Sequence, residues 1–426
     1  MDELTSSCLN YFDEYVMNEI PIRLIRLSDM KFVGRIDVKK LFRSSVYSSL
    51  EYSPSNHIRY AMLSHRWLDE GEPTYEEMKT GTAAGPGYEK LQAFCQEAEE
   101  YGVEFAWSDT CCIDNSSSTE LDESIRSMFR WYKTRLFDEW TERGWTLQEL
   151  LAPRNIKFFN ARWMPMTDDA NDKEPDESPY LLRALEEATG IPHDVLTSDL
   201  IPSLVRVDER MAWAAGRQTT RVEDAAYSLM GIFNVSLRIA YGEGRMRAFC
   251  RLIEAITRVG DPSVLNWTPS VSDNLDHMSM EHYSGSRAIP ACPANFKDCR
   301  SRQFDFDRPL EMTMTSLGLR MPVVILPLIL HSISKVTFQT QLTLRCPFCP
   351  TIEFTIIDSS NPRGCQYAFG IVNYSIIGGG IREVLGIRGR SAGVVLFRRP
   401  ESLPRYQPPN DIIGLNFASP PQTNTL

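Results

Sequence analysis

A chain of 426 residues, 42% hydrophobic and 24% charged, has the mixture of a folded protein; it is not collagen-like, low-complexity or wholly disordered. At roughly 100–200 residues per domain, two to four domains are expected. With 45 Lys+Arg against 56 Asp+Glu the net charge is −11, which repels phosphate backbones and excludes nucleic acid as a default partner. The longest apolar run, Met321 to Leu330, is too short for a bilayer and carries Pro322 and Pro327. It reads as a buried strand pair or turn, so no membrane span is expected. The acidic start, MDELTSSCLNYFDEY, lacks the basic and apolar parts of a secretory signal. The expected compartment is cytoplasmic, where the ten cysteines stay reduced.

In chain order, residues 1–20 read as an N-terminal extension with one helix, before a strand at Ile22 to Leu27 and a second near Lys31 to Val38. Tyr60 to Ser64 is a short apolar run that ends in Ser64-His65-Arg66-Trp67, as a buried strand delivers polar groups at its C-terminal end. After Gly85-Pro86-Gly87, the residues Tyr88, Leu91, Phe94, Cys95, Ala98 and Tyr101 share one helical face, and Gly102 stops it. Val103 to Ser108 is the next strand, with Asp109 at its edge, completing a βαβ unit of a mostly parallel sheet. A Thr119/Asp122 capping pair opens a helix striped by Leu121, Ile125, Met128, Phe129 and Tyr132. Arg143 to Leu151 is helical up to Pro153, and Ile156 to Phe159 reads as a strand.

Thr167 to Ser178 is acidic and aperiodic, which predicts a mobile surface loop. Helices follow at Leu181 to Thr189 and Val207 to Ala215. A Thr220/Glu223 capping box opens another that ends at Gly231, and Met246, Phe249, Cys250, Ile253 and Ile256 stripe a fourth. Past Asp261-Pro262 the pattern is strand-like, with alternation near Val336 to Leu344 and Glu353 to Ile357, then a disordered-looking tail.

Chemistry should gather at the C-terminal ends of the α/β strands, where open parallel sheets place ligand crevices. Ser64, His65, Trp67, Asp109 and Asp114 are the groups delivered there. Trp145 and Glu149 are four apart on one helix, so a carboxylate and an aromatic plane could address one nucleotide or sugar. The alternative is that Trp145 is core, Glu149 pairs with Arg143 or Arg154, and His65 satisfies a backbone carbonyl. Cys346-Pro-Phe-Cys349 has zinc-knuckle spacing, but Cys365, Cys292, Cys299 and His331 follow no regular interval, so no metal is assigned. Gly378-Gly379-Gly380 lacks the Lys-Ser/Thr of a phosphate loop and reads as a turn, and Cys111-Cys112 as packing groups.

The motifs Ser64-His65-Arg66-Trp67, FAWSDTCCIDNSSSTELDESIRSMFRWY (Phe105 to Tyr132), RGWTLQELLAPR (Arg143 to Arg154), RMAWAAGRQTTRVEDAAYSLMGIF (Arg210 to Phe233) and YGEG (Tyr241 to Gly244) resemble the fungal heterokaryon-incompatibility (HET) domain family over residues 20–270. The resemblance implies fungal non-self recognition and regulated cell death, with protein partners or self-association. It also implies a TIR/flavodoxin-like α/β fold. Some TIR relatives cleave the nicotinamide-ribose bond of NAD with a glutamate on a helix beside the sheet, and Glu149 matches that position. NAD would then be a substrate, with no cofactor, and Ser64, His65, Trp67, Asp109, Asp114 and Trp145 would bind it. The expected organisation is an extension (1–20), a HET domain (21–165), a helical subdomain (166–260), a β-rich C-terminal region (261–410) and a tail (411–426).

The chain departs from the family pattern at Arg66, Leu68 and Ser108. More seriously, only Arg135 to Glu142 separates two helices where the family carries a strand and a loop. Eight residues hold at most a turn, so one central strand should be missing. A non-catalytic interaction module and an inactive paralogue are the alternatives to a NAD-cleaving protein.

Overall fold

In the computed structural model, the apolar runs YAML and FAWS become neighbouring parallel strands, and a four-stranded mixed sheet is built outward from them. The structure describes residues 3–46, 54–132, 143–160, 162–174, 179–267, 290–297, 299, 310–315, 318–336, 339–348, 353–358, 366–372, 375–377, 384–386 and 393–398. They group into two compact units: Met1–Pro202 with Arg217–Glu243, and Ser203–Gly216 with Gly244–Leu426. The stretch at residues 135–142, Cys349, the triple glycine at 378–380 and the tail at 411–426 lie outside the described residues.

The first unit runs α1 (Glu3–Asn18), β1 (Arg23–Arg26), β2 (Lys31–Gly34), α2 (Arg35–Val46), α3 (Pro54–His57), β3 (Tyr60–Leu63), α4 (Tyr75–Thr80), α5 (Pro86–Glu100) and β4 (Phe105–Ser108). It continues with α6 (Asp109–Cys112), α7 (Ser118–Tyr132), α8 (Thr146–Leu151), α9 (Pro179–Thr189) and α10 (His193–Thr197). All eight residues of β3 and β4 are buried, which is why these strands read as unbroken apolar runs rather than alternating ones. The sheet order is β2-β1-β4-β3. Only β3 and β4 are parallel, whereas β1 is antiparallel to both β2 and β4.

The expectation of a mostly parallel sheet is thereby corrected. The cause is local: only Leu27 to Met30 link β1 and β2, too few for a crossover, so the pair is a hairpin. Asp29 ties its turn by accepting from the Arg26 guanidinium at 2.7 Å and from the Lys31 N–H at 3.3 Å. The second strand also stops at Gly34 instead of Val38, because Arg35 opens α2. Phe12, Val16, Ile20 and Val38 are fully buried, so α1 belongs to this core.

Two helix starts, one strand and one loop differ from expectation. Ser117, not Thr119, opens α7: its hydroxyl accepts the Glu120 N–H at 3.3 Å, and Asp122 instead accepts the Ile239 N–H at 3.2 Å. The helix expected to run from a Thr220/Glu223 box to Gly231 begins only at Asp224 and is two short ones on either side of Ser228 and Leu229. Ile156 to Phe159 is no sheet strand, for it makes one bridge, Phe159 to Pro165. Its partner is the supposed surface loop. Asp172 and Lys173 are buried, since Lys157 Nζ lies 3.0 Å from Asp172, whose other oxygen accepts the Phe158 N–H at 2.6 Å. A charged run can leave water when each charge meets a partner on the facing segment.

The second unit holds α11 (Val207–Ala214) and α14 (Arg245–Thr257); α12 (Asp224–Tyr227) and α13 (Met230–Phe233) lie between them in sequence and belong to the first. On α14, Phe249, Ile253 and Ile256 are buried as expected, but Met246 is exposed and Cys250 only half-buried. After α14 come β5 (Thr313–Thr315), β6 (Gly318–Arg320), β7 (Val324–Val336), β8 (Gln339–Arg345), β9 (Glu353–Asp358), β10 (Gln366–Ile371), β11 (Ser375–Ile377), β12 (Val384–Gly386) and β13 (Gly393–Arg398). Five of these form an antiparallel sheet in the order β13-β10-β7-β8-β9.

The run Met321 to Leu330 is no buried pair or turn, because most of it is the first half of β7, and Ile325 and Ile329 are exposed. Pro327 is tolerated there because, among the described residues, residues 324–328 of β7 pair with β10 on one side and not with β8, whose pairing begins at Ile329. Among the described residues no helix is long and apolar enough to cross a membrane.

The buried Lys157–Asp172 pair gives a stability prediction. Asp172→Ala leaves an ammonium buried without its carboxylate and should cost about 3–5 kcal/mol. The double change Lys157→Met with Asp172→Leu removes both charges and should cost less than the single one. Urea unfolding of the three proteins decides; a double variant weaker than Asp172→Ala would show that the charges are not the source of the loss.

Candidate functional site

The register of the parallel pair sets the site. Leu63 is opposite Ser108, so Ser64 and Asp109 leave the sheet side by side at its C-terminal edge. The Ser64 hydroxyl donates to Glu149 Oε2 across 85 residues of sequence. Glu149 lies in α8, whose six residues are all buried; the helix has no solvent face, which is why it reads as TLQELL without a charged stripe. The Tyr132 hydroxyl, at the end of α7, also hydrogen-bonds the Glu149 carboxylate.

Burial pushes Glu149 up to about 7. The Ser64 hydrogen bond opposes this, the Asp109 charge adds to it, and Arg143 and Tyr132 pull it back. Asp109 is raised by burial against the pull of His65, Trp67 and Arg143. Tyr132 is held well above its usual range by burial and by the Glu149 and Asp109 charges. Two carboxylates thus share one desolvated corner, and one of them exchanges its proton near neutrality.

The remaining expected residues divide. Trp67 joins the cluster: its half-exposed ring donates its N–H to Asp109 at 3.1 Å. Among the described residues no backbone carbonyl bonds the buried His65 imidazole; its Nε2 is 3.4 Å from Glu72, which accepts from Lys90 at 2.7 Å and the Leu68 N–H at 2.8 Å. Burial would raise Glu72, but His65, Lys90 and that N–H bring it down to about 2. Asp114 is not brought in, because its carboxylate accepts the Ser116 N–H at 2.9 Å and fixes the turn before α7. Trp145 donates its N–H to Asp224 at 3.0 Å. Arg154, offered as a partner of Glu149, instead pairs with Asp199.

Three groups escaped sequence reasoning, Tyr132, Glu72 and Arg217, while Arg143, expected as a possible partner of Glu149, does act on its carboxylate. Tyr132 was hidden in the apolar stripe of α7. Arg143 sits beside the motif tryptophan and donates to the His65 carbonyl at 3.0 Å, a contact no spacing announces. Arg217 lies on a segment distant in sequence that packs against the start of α8. The Gly144 N–H donates to Gln218 O at 2.7 Å, and a Cβ on Gly144 would sit 2.3 Å from Thr219 Cγ2. Arg217 donates to Arg143 O at 3.0 Å and to Thr146 Oγ1 at 2.9 Å. Tyr241 supports Asp224 from the other side at 2.9 Å.

Cys111 and Cys112 are buried, and Cys111 is held well above the usual thiol range, as befits packing rather than nucleophilic groups. Among the described residues no group of three or more His, Cys, Asp or Glu side chains is placed to hold a metal ion.

Comparison with known proteins yields one informative match. The chain is 41% identical over 226 residues to vegetative incompatibility protein HET-E-1 of Podospora anserina. Over that stretch it is related to a fungal incompatibility protein. The match takes up 46% of this chain and 16% of the relative, so the chain spans about one sixth of that protein's length. Since 226 residues would occupy more than 46% of this chain, the relative carries aligned positions with no counterpart here. No family model matches the chain, and no solved structure matches it.

The protonation of Glu149 should be visible as a pH-dependent stability. Its folded value, about 7, lies above the ordinary 4.5, so the folded state binds the extra proton and stability falls as pH rises through that interval. The loss is on the order of 3 kcal/mol. Glu149→Gln mimics the protonated acid and should escape this loss: thermal melts should show the variant gaining on the native chain between pH 5 and pH 8. A difference independent of pH would contradict the buried, proton-sharing environment.

Proposed function

We propose that this chain is a heterokaryon-incompatibility-type protein acting in fungal non-self recognition and cell death, and that Glu149 serves it by cleaving the nicotinamide-ribose bond of NAD. The observation that carries the reading is the buried Glu149 carboxylate at the end of the parallel pair, held by Ser64 and Tyr132 with its proton affinity brought to neutrality. Relatedness to HET-E-1 supports the biological half; the TIR analogy supplies the reaction.

Cleavage breaks the bond between the ribose C1′ and the nicotinamide nitrogen. Nicotinamide leaves with the electron pair, the ribose becomes oxocarbenium-like, and water adds at C1′ and releases a proton. Ionised Glu149 stabilises the developing positive charge more strongly than it does the substrate, which is where rate acceleration originates. Water-poor surroundings strengthen that interaction. The Trp67 ring is available for stacking, and Asp109 for a ribose hydroxyl.

A non-catalytic reading draws on the same contacts: Ser64 and Tyr132 already hydrogen-bond Glu149, as they would in an interior hydrogen-bond network serving a binding module. The inactive-paralogue alternative turns on the stretch at residues 135–142, outside the described residues.

The readings separate by experiment. The purified 426-residue chain at high concentration should consume NAD, with a rate that rises with pH through about 7 as Glu149 ionises. Glu149→Gln should lower the rate on the order of 10²-fold or more. Expression of the native chain in yeast or a filamentous fungus should slow growth, and Glu149→Gln should relieve it. Normal growth at confirmed soluble expression would overturn the biological reading. Growth arrest that persists in Glu149→Gln would favour the binding module.

A further inference from the structure

We infer that Arg217 is a positioning residue for Glu149, holding the first turn of α8 and setting the charge environment of its carboxylate from a segment remote in sequence. This rests on Glu149 being the functional carboxylate.

The guanidinium bonds Arg143 O and Thr146 Oγ1 at 3.0 and 2.9 Å, and Thr146 Oγ1 itself donates to Arg143 O at 2.7 Å. These three groups define the start of α8, and Glu149 follows Thr146 by three residues, one turn on along the same side. The backbone bond from Gly144 to Gln218 and the Trp145–Asp224 bond secure the same turn, so the segment grips it at three successive residues.

The placement is electrostatically odd. The positive end of a helix is unfavourable for a cation, and burying a guanidinium is costly unless an anion offsets it. Glu149 supplies that anion: burial pulls Arg217 down to about 10, and the Glu149 charge opposes it. The other groups facing Glu149 are the Ser64 and Tyr132 hydroxyls, the Asp109 carboxylate and the Arg143 guanidinium. His65 acts on Asp109, and Asp224 stands behind Trp145. Of these, Arg143 is the cation that favours ionised Glu149, while the Glu149 charge in turn favours the Arg217 cation, which comes from outside the α/β motifs.

The test is an infrared difference titration of the full chain without NAD, with the Glu149 band identified by its loss in Glu149→Gln. Arg217→Gln keeps N–H donors but no charge, and should shift the Glu149 midpoint upward from the native value. Arg217→Lys keeps the charge but cannot fork to two acceptors, and should fall between the native chain and Arg217→Gln. A midpoint identical to the native one, in either variant at native melting temperature, overturns the assignment. Should Arg217→Gln fail to fold, Arg217→Lys decides alone. The outcome is separable from that of the catalytic reading: a shifted midpoint with NAD cleavage intact in Glu149→Gln would remove the catalytic role and leave the positioning in place.

Discussion

The burial of one carboxylate is the constraint from which the first unit is best understood. An ionised group taken out of water costs several kcal/mol even after the protein relaxes around it, and Glu149 is buried on a helix with no solvent-facing side. Its surroundings are arranged against that cost. Ser64 arrives at the end of β3, Tyr132 at the end of α7, Arg143 just ahead of α8, and Arg217 from beyond the α/β motifs. The compensation is incomplete by design of the neighbourhood: Asp109 emerges from β4 next to Ser64 and returns negative charge to the corner. The result is a group balanced between two protonation states rather than a fixed ion.

Of the elements, those whose signal is local were legible in the sequence. The strands at Tyr60 and Phe105 stood out because a short, mostly apolar run bounded by turn signals is what a fully buried strand leaves in a sequence. Helix α5 stood out because Pro86 occupies its first turn and Gly102, at φ +66°, follows its end. The direction of β1 failed for a local reason, the short hairpin to β2. The other failures depended on partners far along the chain: Asp122 is decided by Ile239, and Asp172 by Lys157. Each of these charged residues obeys a surface pattern and is drawn inward or into a cap by a group that no local window contains.

The site follows the same rule. Motif order pointed to Glu149, and strand ends pointed to Ser64 and Asp109, because the C-terminal edge of a parallel pair is a geometric consequence of the fold. The hydrogen bond between Ser64 and Glu149 joins those two lines of reasoning, and neither foretold it. Trp145 shows the limit of helical spacing. Four residues before Glu149 would place it on the same face, but α8 begins only at Thr146, and the indole N–H is committed to Asp224. Periodicity locates a side chain only once the helix is known to include it.

Helix α8 also explains why the unit is assembled from separated stretches of chain. Six residues are far below the length at which a helix persists alone in water, and a buried helix must satisfy its end groups without solvent. Its first turn is taken up by Arg217, Gln218 and Asp224. Toward its last, the Lys173 ammonium donates to Leu150 O and Pro153 O, both at 2.8 Å. A cation is favoured at that end by the helix dipole, although burial lowers Lys173 to about 7. Lys173 in turn follows Asp172, which is pinned to Lys157. The two ends of the helix that carries Glu149 are therefore held by residues on either side of the α9–α10 segment, and both anchors lie beyond residue 165. The orientation of Glu149 is a property of this whole arrangement and not of the βαβ motif that delivers Ser64 and Asp109 to it.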